Sequence, residues 1–251
     1  MSKVESPVGG VAITGGGSGI GRQAALVMAR TGAEVIVGDR DSEALARLRS
    51  DAEAEHLCIR TSELELRSEN SIREFVQKAA AQANGLAGLV CSGGVSQAAP
   101  LLEMTKDRWD LVLDVNLTGT FIAAQEAARI MVGQATGGSI VTVSSTMGAS
   151  GGRPGFAHYA ASKAGVIGLT KTLAIELGAN GIRVNCVAPG AVDTPLFRET
   201  VGEAVAKTWS KSPLGRVGEP QDIAEAIEFL LTERSSWITG QVIHVNGGVY
   251  M

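Results

Sequence analysis

The chain has 251 residues, of which 19% are charged, and a formal net charge of −4 at pH 7. Because no basic cluster offsets this acidity, binding to nucleic acid or to an anionic membrane surface is not expected. No apolar run approaches the roughly 18 residues that cross a bilayer, and the N-terminus lacks the apolar core of a signal peptide. We therefore expect a soluble, cytoplasmic protein.

Cysteines and histidines give no sign of a metal site. The histidines are too scattered to ligate one ion, and no Cys-x-x-Cys spacing occurs. We expect the cysteines to be buried free thiols rather than disulfides or zinc ligands. The residues concerned are Cys58, Cys91, Cys186, His56, His158 and His244.

Short apolar runs alternate with amphipathic segments along the whole chain, and no linker or repeat divides it. Such alternation predicts a parallel sheet with right-handed crossovers, buried on both faces by helices. We expect one α/β domain over residues 1–251, a doubly wound, three-layer α/β/α sandwich of about seven strands. The predicted strand cores are residues 11–13, 35–37, 56–59, 88–91, 139–143, 183–187 and 242–245.

The first predicted strand leads through a glycine-rich turn, TGGGSGIG at residues 14–21, into a helix. A helix N-terminus attracts a pyrophosphate, because its N–H groups are unpaired and its dipole is positive there. Gly15 supplies freedom for the turn, Gly19 allows close approach to phosphate, and Gly21 allows close packing of helix on strand. This context predicts a dinucleotide-binding turn.

Asp39 follows the second apolar run, near the offset of the acidic residue that receives a ribose 2′-hydroxyl. Its carboxylate would repel a 2′-phosphate, although the adjacent Arg40 could bind one. The alternative is a solvated Asp-Arg-Asp turn at a strand end. We favour the ribose role, and therefore NAD over NADP.

Tyr159 and Lys163 stand four residues apart in a predicted helix, and so share one face. A free tyrosine with a pKa of about 10 is on the order of 0.1% ionised at pH 7, and a neighbouring cation lowers that pKa. A decrease of roughly 3 units needs about 4 kcal/mol, more than one lysine usually supplies. A second positive group is therefore expected, unless the pair merely lies on a surface helix.

Five motifs, in this order and over essentially the whole chain, resemble those of the short-chain dehydrogenase/reductase family. Residues 14–21 resemble its TGxxxGxG cofactor turn, and Tyr159 with Lys163 resembles its YxxxK pair. The other three are DVNLTG at 114–119, SSTMG at 144–148 and RVNCVAPG at 183–190. The resemblance implies a single NAD(P)-binding Rossmann domain with a substrate lid near residues 195–213. An ordinary helix packed into the core is the alternative for that segment.

The resemblance also implies roles for individual residues. Tyr159 would exchange the proton of the substrate hydroxyl, and Ser145 would hold the substrate oxygen, with Thr146 as a competing hydroxyl. Lys163 and the oxidised nicotinamide would lower the pKa of Tyr159, while Asn116 would hold a water. The implied cofactor-binding set is Gly15, Ser18, Gly19, Ile20, Gly21, Asp39, Arg40, Gly93, Tyr159, Lys163, Pro189, Gly190, Val192 and Thr194.

Three segments depart from the family pattern. The loop from Ser145 to Tyr159 is one residue longer than usual, which leaves Thr146 as the competing hydroxyl. Residues 91–94 read CSGG where the family has Asn-Asn-Ala-Gly, so the side-chain amides that steady the cofactor pocket are missing. The aspartate expected near the adenine has only Glu65 as a substitute, and the register over residues 61–71 is open.

The implied function is reversible, NAD-dependent hydride transfer between the nicotinamide and a small, apolar or cyclic secondary alcohol. A second enzyme reading is an NADPH-dependent 3-oxoacyl-thioester reductase. A third is a dinucleotide-binding regulatory protein without catalysis, although the full set of catalytic residues argues against it. The resemblance also implies a homotetramer.

Overall fold

The computed structural model describes residues 9–202 and 212–251. In these residues seven parallel strands form one sheet in the order β3-β2-β1-β4-β5-β6-β7. The strands are β1 (Gly10–Thr14), β2 (Val35–Asp39), β3 (Ile59–Glu63), β4 (Leu86–Cys91), β5 (Gly138–Val143), β6 (Ile182–Pro189) and β7 (Val242–Val245). The α-helices are α1 (Gly19–Arg30), α2 (Ser42–Ala54), α3 (Glu69–Gln82), α4 (Lys106–Leu113), α5 (Gly119–Gln134), α6 (Thr146–Ser150), α7 (Ala157–Leu177), α8 (Pro195–Val201) and α9 (Pro220–Leu231).

The sheet separates two apolar layers, as β1 illustrates. Val11 and Ile13 face the core shared with α1 and α9, whereas Ala12 faces the core shared with α3 and α5. All three side chains are fully buried, because alternate residues of a strand point to opposite faces. The predicted three-layer, doubly wound fold is confirmed.

The order in which successive strands are added to the sheet reverses at β1. Strands β2 and β3 lie on one side of β1, and β4 to β7 lie on the other. Ligands of open α/β sheets bind beyond the carboxyl ends of the strands at such a reversal. The glycine turn after β1 and the CSGG segment after β4 therefore meet where a ligand is expected.

The third strand was predicted too early, at residues 56–59. Helix α2 runs to Ala54, and Leu57 donates its N–H back to the carbonyl of Ala52 across His56, which has a left-handed φ of 57°. These contacts hold His56 and Leu57 at the end of α2, so the two residues do not join the sheet and β3 begins at Ile59. Cys58 is consequently exposed, contrary to the prediction, whereas Cys91 and Cys186 are buried and all three are free thiols.

Within residues 9–202 and 212–251, no helix is both long enough and apolar enough to cross a membrane. The predicted lid falls partly on residues 203–211, including Trp209, which lie outside the described residues.

Candidate active site

The glycine turn forces two backbones together at the reversal point. Gly15 has a left-handed φ of +66°, and a Cβ on it would overlap the Cα of Gly93 and lie 2.5 Å from the Gly93 nitrogen. A Cβ on Gly21 would likewise overlap the carbonyl oxygen of Gly15. Only glycine fits these contacts, so they bring the N-terminus of α1 directly to the end of β4.

The first turn of α1 is open to an anion. Ser18 is its N-cap but makes no side-chain cap hydrogen bond in the described structure, and the first turn contains no acidic residue. The N–H groups at a helix start lack intrahelical partners and attract negative charge. The arrangement fits a phosphate of a dinucleotide.

The carboxylate of Asp39 is fixed beside this turn. Its Oδ2 accepts a hydrogen bond from the N–H of Gly17 at 2.9 Å, and its Oδ1 accepts one from the N–H of Asp41 at 3.1 Å. The neighbouring Arg40 is exposed. A negative charge therefore stands at the groove edge where β2 ends, in a defined orientation.

An open groove of about 450 Å³ runs past the turn from Asp39 to Thr194. Thr194 caps α8 by accepting the N–H of Phe197 at 3.2 Å, and its methyl group packs against Gly19. The predicted cofactor residues that line the groove are Gly15, Ser18, Gly19, Ile20, Gly21, Asp39, Arg40, Gly93 and Thr194.

Five predicted cofactor residues are not in the lining of this groove. Tyr159 and Lys163 lie on α7, and the other three lie at or just after the end of β6. Pro189 is the buried last residue of β6, and Gly190 donates its N–H to the carbonyl of Val245 at 3.2 Å. Val192 is buried in the apolar core and bridges to Gly218. Any contact of Val192 with a cofactor would therefore have to come from its backbone.

The groove also contains residues that the sequence identified poorly or missed. Strand β3 ends at Glu63, so Glu65 lies in the groove wall, where its Oε1 accepts the N–H of Arg67 at 2.9 Å. Leu66 lies so close to Gly93 that a Cβ on that glycine would overlap it. The sequence could have indicated Leu66 only through the small size of Gly93, and it does not show which residue packs against that glycine.

The end of β5 anchors helix α7. Lys163, 4% exposed, donates from Nζ to the carbonyl of Val143 at 2.8 Å. Ser144 donates from Oγ to the main-chain carbonyl of Lys163 at 2.7 Å. Ser145 caps α6 by accepting the N–H of Met147 at 3.2 Å. Three consecutive residues thus fix both the ammonium and the backbone of Lys163 beside Ser145.

Tyr159 lies one turn before Lys163, with Lys163 Nζ 5.8 Å from the centroid of its ring. Burial raises the pKa of Tyr159, and the nearby Ser145 hydroxyl opposes that rise. Burial also lowers the pKa of Lys163 to about 8. The acidic phenol expected from the sequence is therefore not seen, because desolvation of the phenolate outweighs its neighbours. The protonated phenol is the form that can donate a proton.

Asn116 is fully buried in a π-helical turn, Asp114–Thr118, between α4 and α5. Its Oδ1 accepts the N–H of Val95 at 2.8 Å, and its Nδ2 donates to the Val95 carbonyl at 3.0 Å and to Ser162 Oγ at 3.1 Å. Ser162 in turn donates to the carbonyl of Tyr159 at 2.8 Å. The amide therefore ties the loop after β4 to the turn that carries Tyr159. Its role in holding a water stays a prediction.

Comparison with known proteins decides the family. A family model described as Enoyl-(Acyl carrier protein) reductase matches residues 15–250. The 3-oxoacyl-(acyl-carrier-protein) reductase FabG of Thermotoga maritima is 42% identical over 237 residues, which cover 94% of this chain and 96% of the relative. The chain belongs to the short-chain dehydrogenase/reductase family.

Two further relatives of similar length differ in their named substrates. Human (3R)-3-hydroxyacyl-CoA dehydrogenase is 39% identical over 249 residues, covering 95% of this chain and 94% of the relative. The cis-4-hydroxycyclohexanecarboxylate dehydrogenase of Sinomonas cyclohexanicum is 38% identical over 239 residues, covering 94% of each. The chain is thus an oxidoreductase of a family that binds a nicotinamide dinucleotide and acts on CH–OH groups.

The departure from the short-chain dehydrogenase/reductase pattern at residues 91–94 is accommodated by small groups. Ser92 donates from Oγ to the carbonyl of Gly15 at 3.4 Å. A Cβ on Gly94 would lie 3.3 Å from Oδ1 of Asn116 and 3.5 Å from Nζ of Lys163. The segment therefore still connects the glycine turn to Asn116 and Lys163, although it lacks the family's side-chain amides.

Proposed function

We propose that the protein catalyses reversible hydride transfer between a secondary alcohol and NAD. The observation that carries this proposal is the position of the Tyr159 phenol, near the Ser145 hydroxyl and one helical turn from Lys163. All three lie at the carboxyl edge of the sheet that also carries the glycine turn. Gly94, which lines the groove, lies beside Lys163, so the proton-transfer group is close to a groove whose backbone fits a dinucleotide.

Each protein group has a defined part in the proposed reaction. When bound, the nicotinamide accepts hydride from the alcohol carbon or returns it to the carbonyl carbon. Tyr159 accepts the hydroxyl proton in oxidation and donates it in reduction. Ser145 holds the substrate oxygen and stabilises the charge that develops on it. Lys163, held by the Val143 carbonyl, supplies positive charge beneath the phenol.

NAD is proposed over NADP because of the carboxylate at the end of β2. Asp39 already accepts two backbone N–H groups, which fix its charge in the groove. A fixed carboxylate accepts hydrogen bonds from ribose hydroxyls and repels a phosphate.

Replacing Asp39 with asparagine should shift the cofactor preference. Asp39→Asn removes the charge but keeps one oxygen for the backbone. We expect the ratio of kcat/KM for NADP to that for NAD to rise by about 10- to 100-fold, since hydrogen bonds to charged groups contribute about 1.5–3 kcal/mol. Steady-state kinetics with both cofactors measures this ratio.

Glu43→Gln is the matched control for Asp39→Asn. Glu43 is an exposed carboxylate on the first turn of α2, paired only loosely with Arg47 at 3.6 Å. The Glu43→Gln substitution removes the same charge near the groove without changing any residue that lines the groove. An equal shift in both variants would mean that general charge, rather than the placement of Asp39, sets the preference.

A second candidate function is reduction of a 3-oxoacyl thioester, or oxidation of the corresponding 3-hydroxyacyl thioester. The names of the Thermotoga maritima and human relatives favour it. The same Ser145 and Tyr159 would act on the 3-position oxygen. The name of the Sinomonas relative favours a small cyclic alcohol instead.

One assay distinguishes these candidates. Initial rates would be measured with NAD, NADP and their reduced forms on cyclic and acyclic secondary alcohols, their ketones, and 3-hydroxyacyl and 3-oxoacyl thioesters. The leading proposal expects the highest kcat/KM with a simple alcohol and NAD. Preference for a thioester with NADPH would support the second candidate. Absence of turnover with every pair, despite measurable NADH binding, would favour a non-catalytic dinucleotide-binding protein.

We also propose a homotetramer and a substrate lid, on the family resemblance. Exposed apolar side chains on α5 and α7 support the assembly: Phe121, Val132 and Ile175. Helix α8, beginning directly after Thr194 and lining the groove with Leu196, supports the lid.

A further inference from the structure

His158 is a fully buried imidazole for which the proposed reaction has no use. It immediately precedes Tyr159 in the first turn of α7, and its Nδ1 accepts the backbone N–H of Tyr159 at 2.9 Å. Since a backbone N–H can only donate, Nδ1 carries no proton in this arrangement. The ring is therefore neutral.

The hydrogen bond meets a specific need of α7. The first N–H groups of a helix have no intrahelical partner. Phe156, the N-cap of α7, has an apolar side chain and makes no side-chain cap hydrogen bond in the described structure. The imidazole supplies a cap from inside the helix, and the N–H that it satisfies belongs to Tyr159 itself.

The surroundings of the ring disfavour a positive charge. Its Nε2 side faces the backbone of Gln97, in the loop after β4, without a well-formed hydrogen bond in the described residues. Burial lowers the pKa of His158, the Gln97 backbone opposes this, and the charge of Arg108 on α4 lowers the pKa further. On its own helix, the titratable groups that follow most closely are the Tyr159 phenol and, one turn further on, the Lys163 ammonium.

The same loop contributes to the site. Asn116 holds Val95 by two hydrogen bonds, and Ala99 donates its N–H to the carbonyl of Gly155 at 2.8 Å. His158 therefore lies between the loop after β4 and the turn that presents Tyr159. A change in the position or protonation of the imidazole would therefore affect both the loop and the turn.

We propose that His158 is a positioning residue, whose neutral imidazole holds the backbone of Tyr159 so that the phenol is directed to Ser145. This inference rests on the proposed function of Tyr159. Protonation would place a hydrogen on Nδ1 opposite the Tyr159 N–H, and the cap would be lost. A small displacement of a reacting group can cost about 10²-fold in rate.

Two substitutions test the proposal. His158→Asn places an amide oxygen where Nδ1 accepts its hydrogen bond, but this side chain does not titrate. His158→Ala removes the acceptor. With kcat and KM measured from pH 5 to 9, we expect the asparagine variant to keep kcat at pH 8 within about threefold and the alanine variant to lose about tenfold, with KM for NADH nearly unchanged. The kcat of the wild type should decrease at pH values below 6.5, the ordinary pKa of histidine, because the pKa of His158 is lowered. The asparagine variant should lack that decrease.

Either of two kinetic results would overturn the proposal: an alanine variant with wild-type kcat, or the same acid decrease in the wild type and the asparagine variant. A wild-type protein without turnover would instead count against the proposed function.

Thermal unfolding between pH 5 and 7 gives a readout that needs no activity. Because the folded-state pKa of His158 is lowered, its neutral form stabilises the fold above pH 6.5, and this contribution is lost as the pH falls toward the folded-state pKa. The Tm of the wild type should therefore decrease more steeply with acid than that of His158→Asn. Equal slopes would show that the ring does not act as a neutral cap.

Discussion

Tyr159→Phe is expected to lower kcat by about 10²- to 10⁴-fold in both directions, the range that general acid–base catalysis supplies. The substitution removes only the phenolic oxygen and leaves the half-buried ring in contact with Lys163. Because the groove around Gly15 and Asp39 is unchanged, the Kd of the variant for NADH should stay within about twofold of the wild-type value. A loss of about 1.4 kcal/mol of binding free energy would instead raise the Kd tenfold. Steady-state rates and a fluorescence titration with NADH measure the two quantities.

The chain offers a matched control for this substitution in its other tyrosine. The ring of Tyr250 lies near the C-terminus, 5.0 Å from the ring of His244 and away from the groove. Tyr250→Phe removes the same atom and should leave kcat nearly unchanged. If Tyr159→Phe kept more than a tenth of the wild-type rate, another group would have to move the proton, and the proposed reaction would need a different acid.

The raised pKa of Tyr159 bears on the direction of the reaction. In the cofactor-free protein the phenol is protonated at neutral pH, which is the form that reduction consumes. Oxidation requires the phenolate, so positive charge must offset the desolvation that burial imposes. Lys163 provides part of it, but burial also lowers the pKa of this lysine to about 8, so its own charge weakens as the solution becomes alkaline.

The sequence predicts the fold well where one signal dominates. The runs around Val11 and Val35 are short, apolar and followed by turn residues, and both form strands at the predicted places. The prediction was wrong between α2 and β3, where the apolar residues Leu57 and Cys58 belong to different parts of the structure. Leu57 closes the end of a helix and Cys58 precedes the strand, so hydrophobicity without cap geometry misplaced the boundary.

The site was predictable as a set of residues but not as a set of contacts. Spacing alone put Tyr159 and Lys163 on one helical face. It could not show that Lys163 reaches the Val143 carbonyl, or that Asn116 uses its amide on Val95, because these partners come from segments about 20 residues away. The pKa of Tyr159 was missed for a related reason, since burial depends on the whole fold rather than on the nearest charge.

Gly15→Ala is expected to damage both the fold and cofactor binding. A Cβ there would overlap the Cα of Gly93 and meet its nitrogen at 2.5 Å, and both atoms are backbone, which cannot rotate away. Overpacking costs about 1–3 kcal/mol, and a left-handed non-glycine residue adds about 1–2 kcal/mol. We expect the free energy of unfolding, measured in urea, to fall by about 2–5 kcal/mol on these grounds. The Kd for NADH should rise at least about tenfold, because β1 and β4 separate at the point where the phosphates would bind.

Gly133→Ala provides the matched control for this loss. Gly133 lies in α5, where an added Cβ would meet no other described atom within 4 Å, and its φ is ordinary. Alanine there should leave NADH binding unchanged and stabilise the protein by at most about 0.5–1 kcal/mol, because glycine is unfavourable in a helix and Gly133 lies in the last turn of α5. A Gly15→Ala protein that bound NADH like the wild type would show that the turn can relax without altering the groove. The close contact between Gly15 and Gly93 would then serve packing alone, and the dinucleotide would have to be held by Asp39 and the N-terminus of α1.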